Sequence, residues 1–296
     1  MLKQIQKIIP KKFRKDTLSI PVVRLQGAIG MSSGPMRQGL NLASVAQSLD
    51  RAFSMKAAPA VALIVNSPGG SPVQSRLIFK RIRDLAKEKE KDVLVFVEDV
   101  AASGGYMIAV AGDEIFVDPS SIVGSIGVVS AGFGFPELLK KAGIERRVYT
   151  AGENKAILDP FQPEKPDDIA YLKSLQLEIH EVFRDLVKER RGDVLADDPS
   201  LFTGRFWTGR AARDLGLVDG IGGLREVLKE RYGAKAEAKL ISPPRGLFGR
   251  RTSGVGVSAL SGHNDVSALG QDIGAGVVGA SLAAVEERSL WARYGL

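Results

Sequence analysis

The stretch from Val93 to Val110, VLVFVEDVAASGGYMIAV, decides how this chain is built. Val93 to Val97 is a continuous apolar run of the length of a buried strand. Ala101-Ala102-Ser103-Gly104-Gly105-Tyr106 interrupts it with small residues and two glycines, and Met107 to Val110 then reads as a small-residue helix. Ile115 to Val117 returns as a strand. The same order precedes it. Val61 to Val65 is an apolar run closed by Asn66-Ser67-Pro68-Gly69-Gly70, a tight turn, and Leu77, Ile78, Ile82 and Leu85 mark the next helix. Earlier still, Val22 to Leu25 reads as a short strand, and Leu42, Val45, Leu49 and Phe53 recur at helical spacing. Repeated strand–turn–helix units predict an α/β fold with a mixed, largely parallel sheet covered by helices. In such sheets ligands sit beyond the carboxyl ends of the strands. Both Gly-rich turns, at 67–70 and 103–105, fall at those ends and could face one site.

Downstream, Pro136 to Ala142 predicts a short helix, Arg147 to Tyr149 a short strand, and Thr150 to Phe161 a polar loop. A long helix follows, with Asp167 and Asp168 in its first turn, where the helix dipole favours them. Its apolar stripe is Ile169, Leu172, Leu175, Ile179, Val182, Phe183 and Leu186. A shorter helix opens at Thr208-Gly209-Arg210-Ala211-Ala212 and ends around Leu215 to Asp219. The expected organisation is a basic amphipathic segment over 1–18, an α/β domain over 19–241 and a Gly/Ser/Ala-rich tail over 242–296. The tail is expected to be flexible, with a terminal helix over Ala280 to Tyr294.

The 296 residues, 44% of them hydrophobic, suffice for a large core. The absence of cysteine excludes disulfides, thiolate nucleophiles and Cys-based zinc sites. A net charge of +7 could attract anionic partners, but no signature of a nucleic-acid-binding module accompanies it, and no nucleic-acid partner is expected. Leu2, Ile5, Ile9 and Phe13 alternate with lysines and Arg14 in the first segment. It lacks the apolar run of a signal peptide, and no stretch reaches the ~20 apolar residues of a spanning helix. The reading is a cytoplasmic protein whose N-terminal segment is either a frayed helix or docking arm, or a peripheral contact with anionic lipid at the inner membrane.

Ser103 follows a buried strand and opens a glycine-rich helix, so its hydroxyl would stand at the end of the sheet beside free backbone N–H groups. A helix N-cap serine gives the same local pattern. As a nucleophile elbow the pattern is incomplete, because Ala101 stands where a glycine is usual. The 66–71 turn could hold an oxyanion, a phosphate or a thioester carbonyl, or be only a turn. Of the two histidines, His180 falls about 100° from the centre of the long helix's stripe. It flanks the core or faces solvent, and His263 lies in the tail. A Ser-His-Asp triad is thereby disfavoured. A lysine can replace histidine when burial favours its neutral amine. Composition alone does not choose which lysine.

The blocks Asn66 to Ser71, Ala102 to Tyr106, Gly124 to Val128, Gly152 to Ala156 with Asp159-Pro160-Phe161, and Thr203 to Arg205 with Leu215 to Asp219 are similar to those of bacterial signal peptide peptidase A and its relatives. They occur in that family's order over about residues 20 to 230. The resemblance implies a Clp/crotonase-like fold and a Ser-Lys dyad. It makes Ser103 the nucleophile, Lys155 the base, Ser125 the residue that orients the lysine, and Gly70 and Gly104 the oxyanion donors. It further implies a homo-oligomer with shared substrate pockets, acting without metal or cofactor on peptides with small or apolar residues, such as remnant signal peptides or unfolded polypeptides. Many family members carry an N-terminal membrane anchor that this sequence lacks. Two other readings stand beside it: a crotonase-type acyl-CoA enzyme with Glu98 as base, and a non-catalytic membrane-surface scaffold.

Overall fold

A computed structural model describes residues 17–30, 39–242, 285 and 288–296. The first strand, β1 (Leu18–Gln26), leads to α1 (Leu42–Phe53), β2 (Ala60–Ser67), α2 (Pro72–Lys89), β3 (Asp92–Ala102), α3 (Gly104–Ala109), β4 (Glu114–Val117) and β5 (Ile122–Gly124). The chain continues through α4 (Pro136–Lys141), α5 (Pro166–Arg191), β6 (Phe206–Thr208), α6 (Gly209–Asp214), β7 (Gly220–Ile221), α7 (Leu224–Tyr232) and β8 (Ala236–Leu240). The described residues form one eight-stranded sheet of order β6-β5-β3-β2-β1-β8, with β4 between β3 and β7. Every pairing is parallel except β5 with β6. This is the mixed, largely parallel α/β sheet expected from the sequence.

The continuous apolar runs arise because the sheet is covered on both faces, so both alternating sets of side chains are buried. Val23, Leu25, Val61, Leu63, Val65, Val93, Val95 and Val97 face α1, α2, α3 and the end of α5. Ile20, Val22, Ala60, Ala62, Leu94 and Phe96 face α7 and Ala236. Asn41 caps α1 by accepting from the Ser44 N–H, and the Ser44 hydroxyl oxygen accepts in return from Asn41 N–H.

α5 departs from the sequence reading. Its helix forms as expected, but only Phe183, Leu186, Val187 and Arg191 are buried. Leu175, Ile179 and Val182 are exposed, as are Tyr171 and Leu177. Only the last third of the helix lies over the sheet, so most of its apolar stripe has no cover in the described residues. The strand expected at Arg147 to Tyr149 does not form. Tyr149 is 89% exposed and no strand edge lies alongside; Arg146 instead pairs with Asp159 and Arg147 with Glu145. Of the expected basic N-terminal segment and flexible tail, only 17–18, 242, 285 and 288–296 are among the described residues, and 285 and 288–292 are helical.

Candidate active site

The site begins with an irregularity in β3. Val65 pairs with Val97, but Ser67 pairs with Ala101, so β3 carries two extra residues, Glu98 and Asp99. Before this bulge β3 pairs with β4, and after it with β5. Asn66 fastens the bulge: its amide donates to Asp99 Oδ2 at 2.6 Å, and its carbonyl accepts from Val100 N–H at 3.3 Å. Ser67 donates to Gly27 O at 2.7 Å and accepts from Gly69 N–H at 3.2 Å. The first two residues of the Asn-Ser-Pro-Gly-Gly block therefore set the path of two strands.

Directly after β3 stands Ser103, with φ 51° and ψ −122°. A non-glycine residue at that geometry costs on the order of 1–3 kcal/mol and persists only where its surroundings enforce it. Here Ser103 N–H donates to Gly124 O at 2.8 Å, and Ser103 O accepts from Met107 N–H at 3.0 Å. The sharp strand-to-helix turn forms although Ala101 replaces the usual glycine. Close approach falls on other residues: a β-carbon on Gly105 would lie 2.4 Å from Ser67 O, and one on Gly69 2.8 Å from the Ser103 β-carbon. The Ser103 side chain makes no capping bond to its helix, so the N-cap reading does not account for this serine.

The two glycine turns do meet. Ile29 ties down the first, its N–H donating to Gly69 O and its carbonyl accepting from Ser71 N–H. A β-carbon on Gly104 would sit 3.4 Å from Gly70 N. Among the described residues neither Gly70 N–H nor Gly104 N–H has an acceptor, so both remain available to an incoming oxygen. Ser125 is buried at φ 52°, its N–H donating to Arg205 O at 2.7 Å. Ser103, Ser125, Gly127, His180, Phe202 and Thr203 line one cavity of about 340 Å³.

Lys155 is not part of that lining. It is exposed in the 150–161 loop, whose turn is closed by Lys155 N–H donating to Gly152 O. The Asp159-Pro160-Phe161 block anchors this loop. Asp159 accepts from Arg146 Nε at 3.0 Å, Phe135 N–H donates to Pro160 O, and the Phe161 ring packs on Phe135 beneath the Arg146 guanidinium. Glu98, the base of the acyl-CoA alternative, is paired with Arg24 at 2.6 Å and is also absent from the cavity lining.

His180 is the residue the sequence reading undervalued. It lines the cavity with Ser103 and lies 3.2 Å from Ile126 O through Nε2. Its angle to the apolar stripe did indicate a flank, but which flank depends on where α5 crosses the sheet. Tyr106 serves the structure rather than the site. Its buried hydroxyl donates to Leu217 O at 2.7 Å, and burial pushes its ionisation well above the ordinary phenol range.

The chain is 60% identical over 292 residues to a Brucella abortus protein named Na(+)/H(+) antiporter NhaA, covering 99% of this chain and 39% of that protein. It is 30% identical over 213 residues to the chloroplastic serine protease SPPA of Arabidopsis thaliana, covering 71% of this chain and 31% of that one. A Synechocystis protein named as a putative protease is 32% identical over 204 residues, covering 66% of this chain and 72% of that relative. The chain thus spans less than half the length of the first two. No helix among the described residues is long and apolar enough to cross a membrane. The model of peptidase family S49 matches residues 85–239, a span that contains the Ser103 turn, Ser125 and Lys155, and the chain belongs to that family.

Proposed function

We propose that the chain is a serine endopeptidase in which Ser103 is the nucleophile and Lys155 the general base. Its substrates are peptides with small or apolar residues, such as remnant signal peptides or unfolded polypeptides. The observation that carries this reading is Ser103 on a strained strand-to-helix turn, sharing a cavity with Ser125 beside two acceptor-free N–H groups.

The neutral Lys155 amine takes the Ser103 hydroxyl proton as the serine oxygen bonds to the scissile carbonyl carbon. The resulting oxyanion accepts from Gly70 and Gly104 N–H; one such donor is worth about 3 kcal/mol in other hydrolases. Collapse breaks the carbon–nitrogen bond, and the lysinium returns its proton to the leaving amine. Water, deprotonated by Lys155, then cleaves the acyl ester and regenerates Ser103.

In this reading the exposed Lys155 loop moves to Ser125, whose hydroxyl orients the amine. Assembly with further copies of the chain supplies that step. The uncovered stripe of Leu175, Ile179 and Val182 provides an apolar surface for such assembly. Hydrolysis of casein or an apolar peptide mixture by wild type and Ser103→Ala tests the activity. Cleavage by wild type alone is expected; equal cleavage by both excludes Ser103 as nucleophile.

A further inference from the structure

The sheet face beneath α7 is covered over only part of its length. Val227, Leu228 and Tyr232 of α7 pack on Ile20, Val22, Ala60, Ala62 and Leu94. Where α7 begins, Ile64, Phe116 and Leu224 are only partly buried, and a cavity of about 410 Å³ opens there. Its lining includes Ile64, Phe96 and Leu224, and Phe96 stacks on Phe116 at 5.4 Å between centroids. The polar side chains that line it are all carboxylates: Glu98, Asp118 and Glu226. Arg24 reaches across β2 to pair with Glu98 at 2.6 Å. Among the described residues neither Asp118 nor Glu226 joins an ion pair. An apolar surface rimmed by like charge selects a partner that is both apolar and cationic.

The chain carries such a segment. Leu2, Ile5, Ile9 and Phe13 lie among Lys3, Lys7, Lys11, Lys12, Arg14 and Lys15, with no acidic residue before Asp16. We propose that residues 1–16, which lie outside the described residues, dock on this cavity of their own chain, apolar side chains on Ile64, Phe96 and Leu224 and lysines on Asp118 and Glu226. Lysine suits the rim because its stem can lie along apolar surface while the ammonium meets a carboxylate. The reach is sufficient. The segment enters β1 at Leu18, and β1 advances about 20 Å from there to Arg24, beside the cavity. Residues 1–16 span about 24 Å even if helical, and more if extended. Because the segment is tethered, weak contacts suffice to keep it seated. The docking is independent of the peptidase reading, since the cavity contains neither Ser103 nor Lys155. While seated there, the same lysines are withheld from anionic lipid.

Two measurements on the full chain, without lipid, test this. Carbodiimide joins a lysine amine to a carboxylate in contact with it. Mass spectrometry should locate links from the lysines of 3–15 to Asp118 or Glu226. In a mixture of light and heavy-isotope protein these links should stay within one chain. Hydrogen exchange of 2–15 should be about tenfold slower in wild type than in Ile9→Asp, as expected when roughly nine molecules in ten are docked. Glu226→Lys should release the segment in the same way. Ile9→Asp changes no residue of the described fold, so it decides the matter if Glu226→Lys folds poorly. Absence of these links, or links only between light and heavy chains, overturns the proposal. So does exchange at 2–15 that is equally fast in wild type and Ile9→Asp. Protection that appears only on adding phosphatidylglycerol vesicles also overturns it, and assigns the segment to a lipid surface.

Discussion

Ser103 illustrates how much of a candidate nucleophile lies in its backbone. Its positive φ is imposed by Gly124 O on one side and by the closely packed Gly69 and Gly105 on the other. The serine could be picked from the strand–Ser-Gly-Gly pattern, but not its strain, which depends on contacts with residues distant in sequence. The choice of base is where residue chemistry discriminates most sharply, because His180 shares the cavity and Lys155 does not. A Lys155→Arg variant should be inactive, since a guanidinium stays protonated, whereas His180→Ala should retain turnover. The pH profile of the wild type separates the two. A lysine base gives a rate still rising above neutrality, while a plateau set near ~6.5, the range of an unperturbed imidazole, would assign the base to His180. Lys155 entered as a candidate only through its family block; its absence from the cavity lining in the folded chain could not be read, because nothing in the spacing of 103, 125 and 155 fixes where the loop rests.

At the scale of elements, the sheet was readable because its strands are buried on both faces and so appear as unbroken apolar runs. Val61 to Val65 and Val93 to Val97 are the clearest cases, and both lie inside strands that prove longer, Ala60–Ser67 and Asp92–Ala102. The extension of β3 was hidden by Glu98 and Asp99, charged residues that a bulge tolerates and a regular buried strand would not. The small helix α3 is held through Tyr106, whose hydroxyl donates to Leu217 O across the molecule. Tyr106→Phe should lower stability by about 1 kcal/mol for the lost bond. The wild type carries a further signature. Its folded-state ionisation is raised above that of the unfolded chain, so the contribution of Tyr106 is fully present below the ordinary phenol pKa of about 10 and is lost as pH rises beyond it. Denaturant titrations across that window should show stability falling more steeply for wild type than for Tyr106→Phe; parallel curves would show that Tyr106 ionisation is not coupled to folding.

For the molecule as a whole, periodicity identified α5 as a helix and was misleading about burial. A stripe of seven apolar positions was expected to lie on the core, yet Leu175, Ile179 and Val182 remain exposed while Phe183 and Leu186 are covered. Amphipathic spacing shows that a face needs cover, not whether the same chain supplies it. If further copies supply it, Ile179→Asp with Val182→Asp should turn an oligomer into a monomer by sedimentation and abolish hydrolysis. Thermal stability of the monomer should fall less than for a core substitution, because both side chains are partly exposed within the chain. A wild type that sediments as a monomer while hydrolysing peptide would show that assembly is not required. The proposed activity depends on Ser103 being a nucleophile activated by Lys155. Covalent labelling with a fluorophosphonate, followed by mass-spectrometric location of the adduct, examines that step without needing the natural substrate. A single adduct on Ser103 is expected in the wild type, lost in Lys155→Arg. An adduct on another residue, or undiminished labelling of Ser103 in Lys155→Arg, would contradict it.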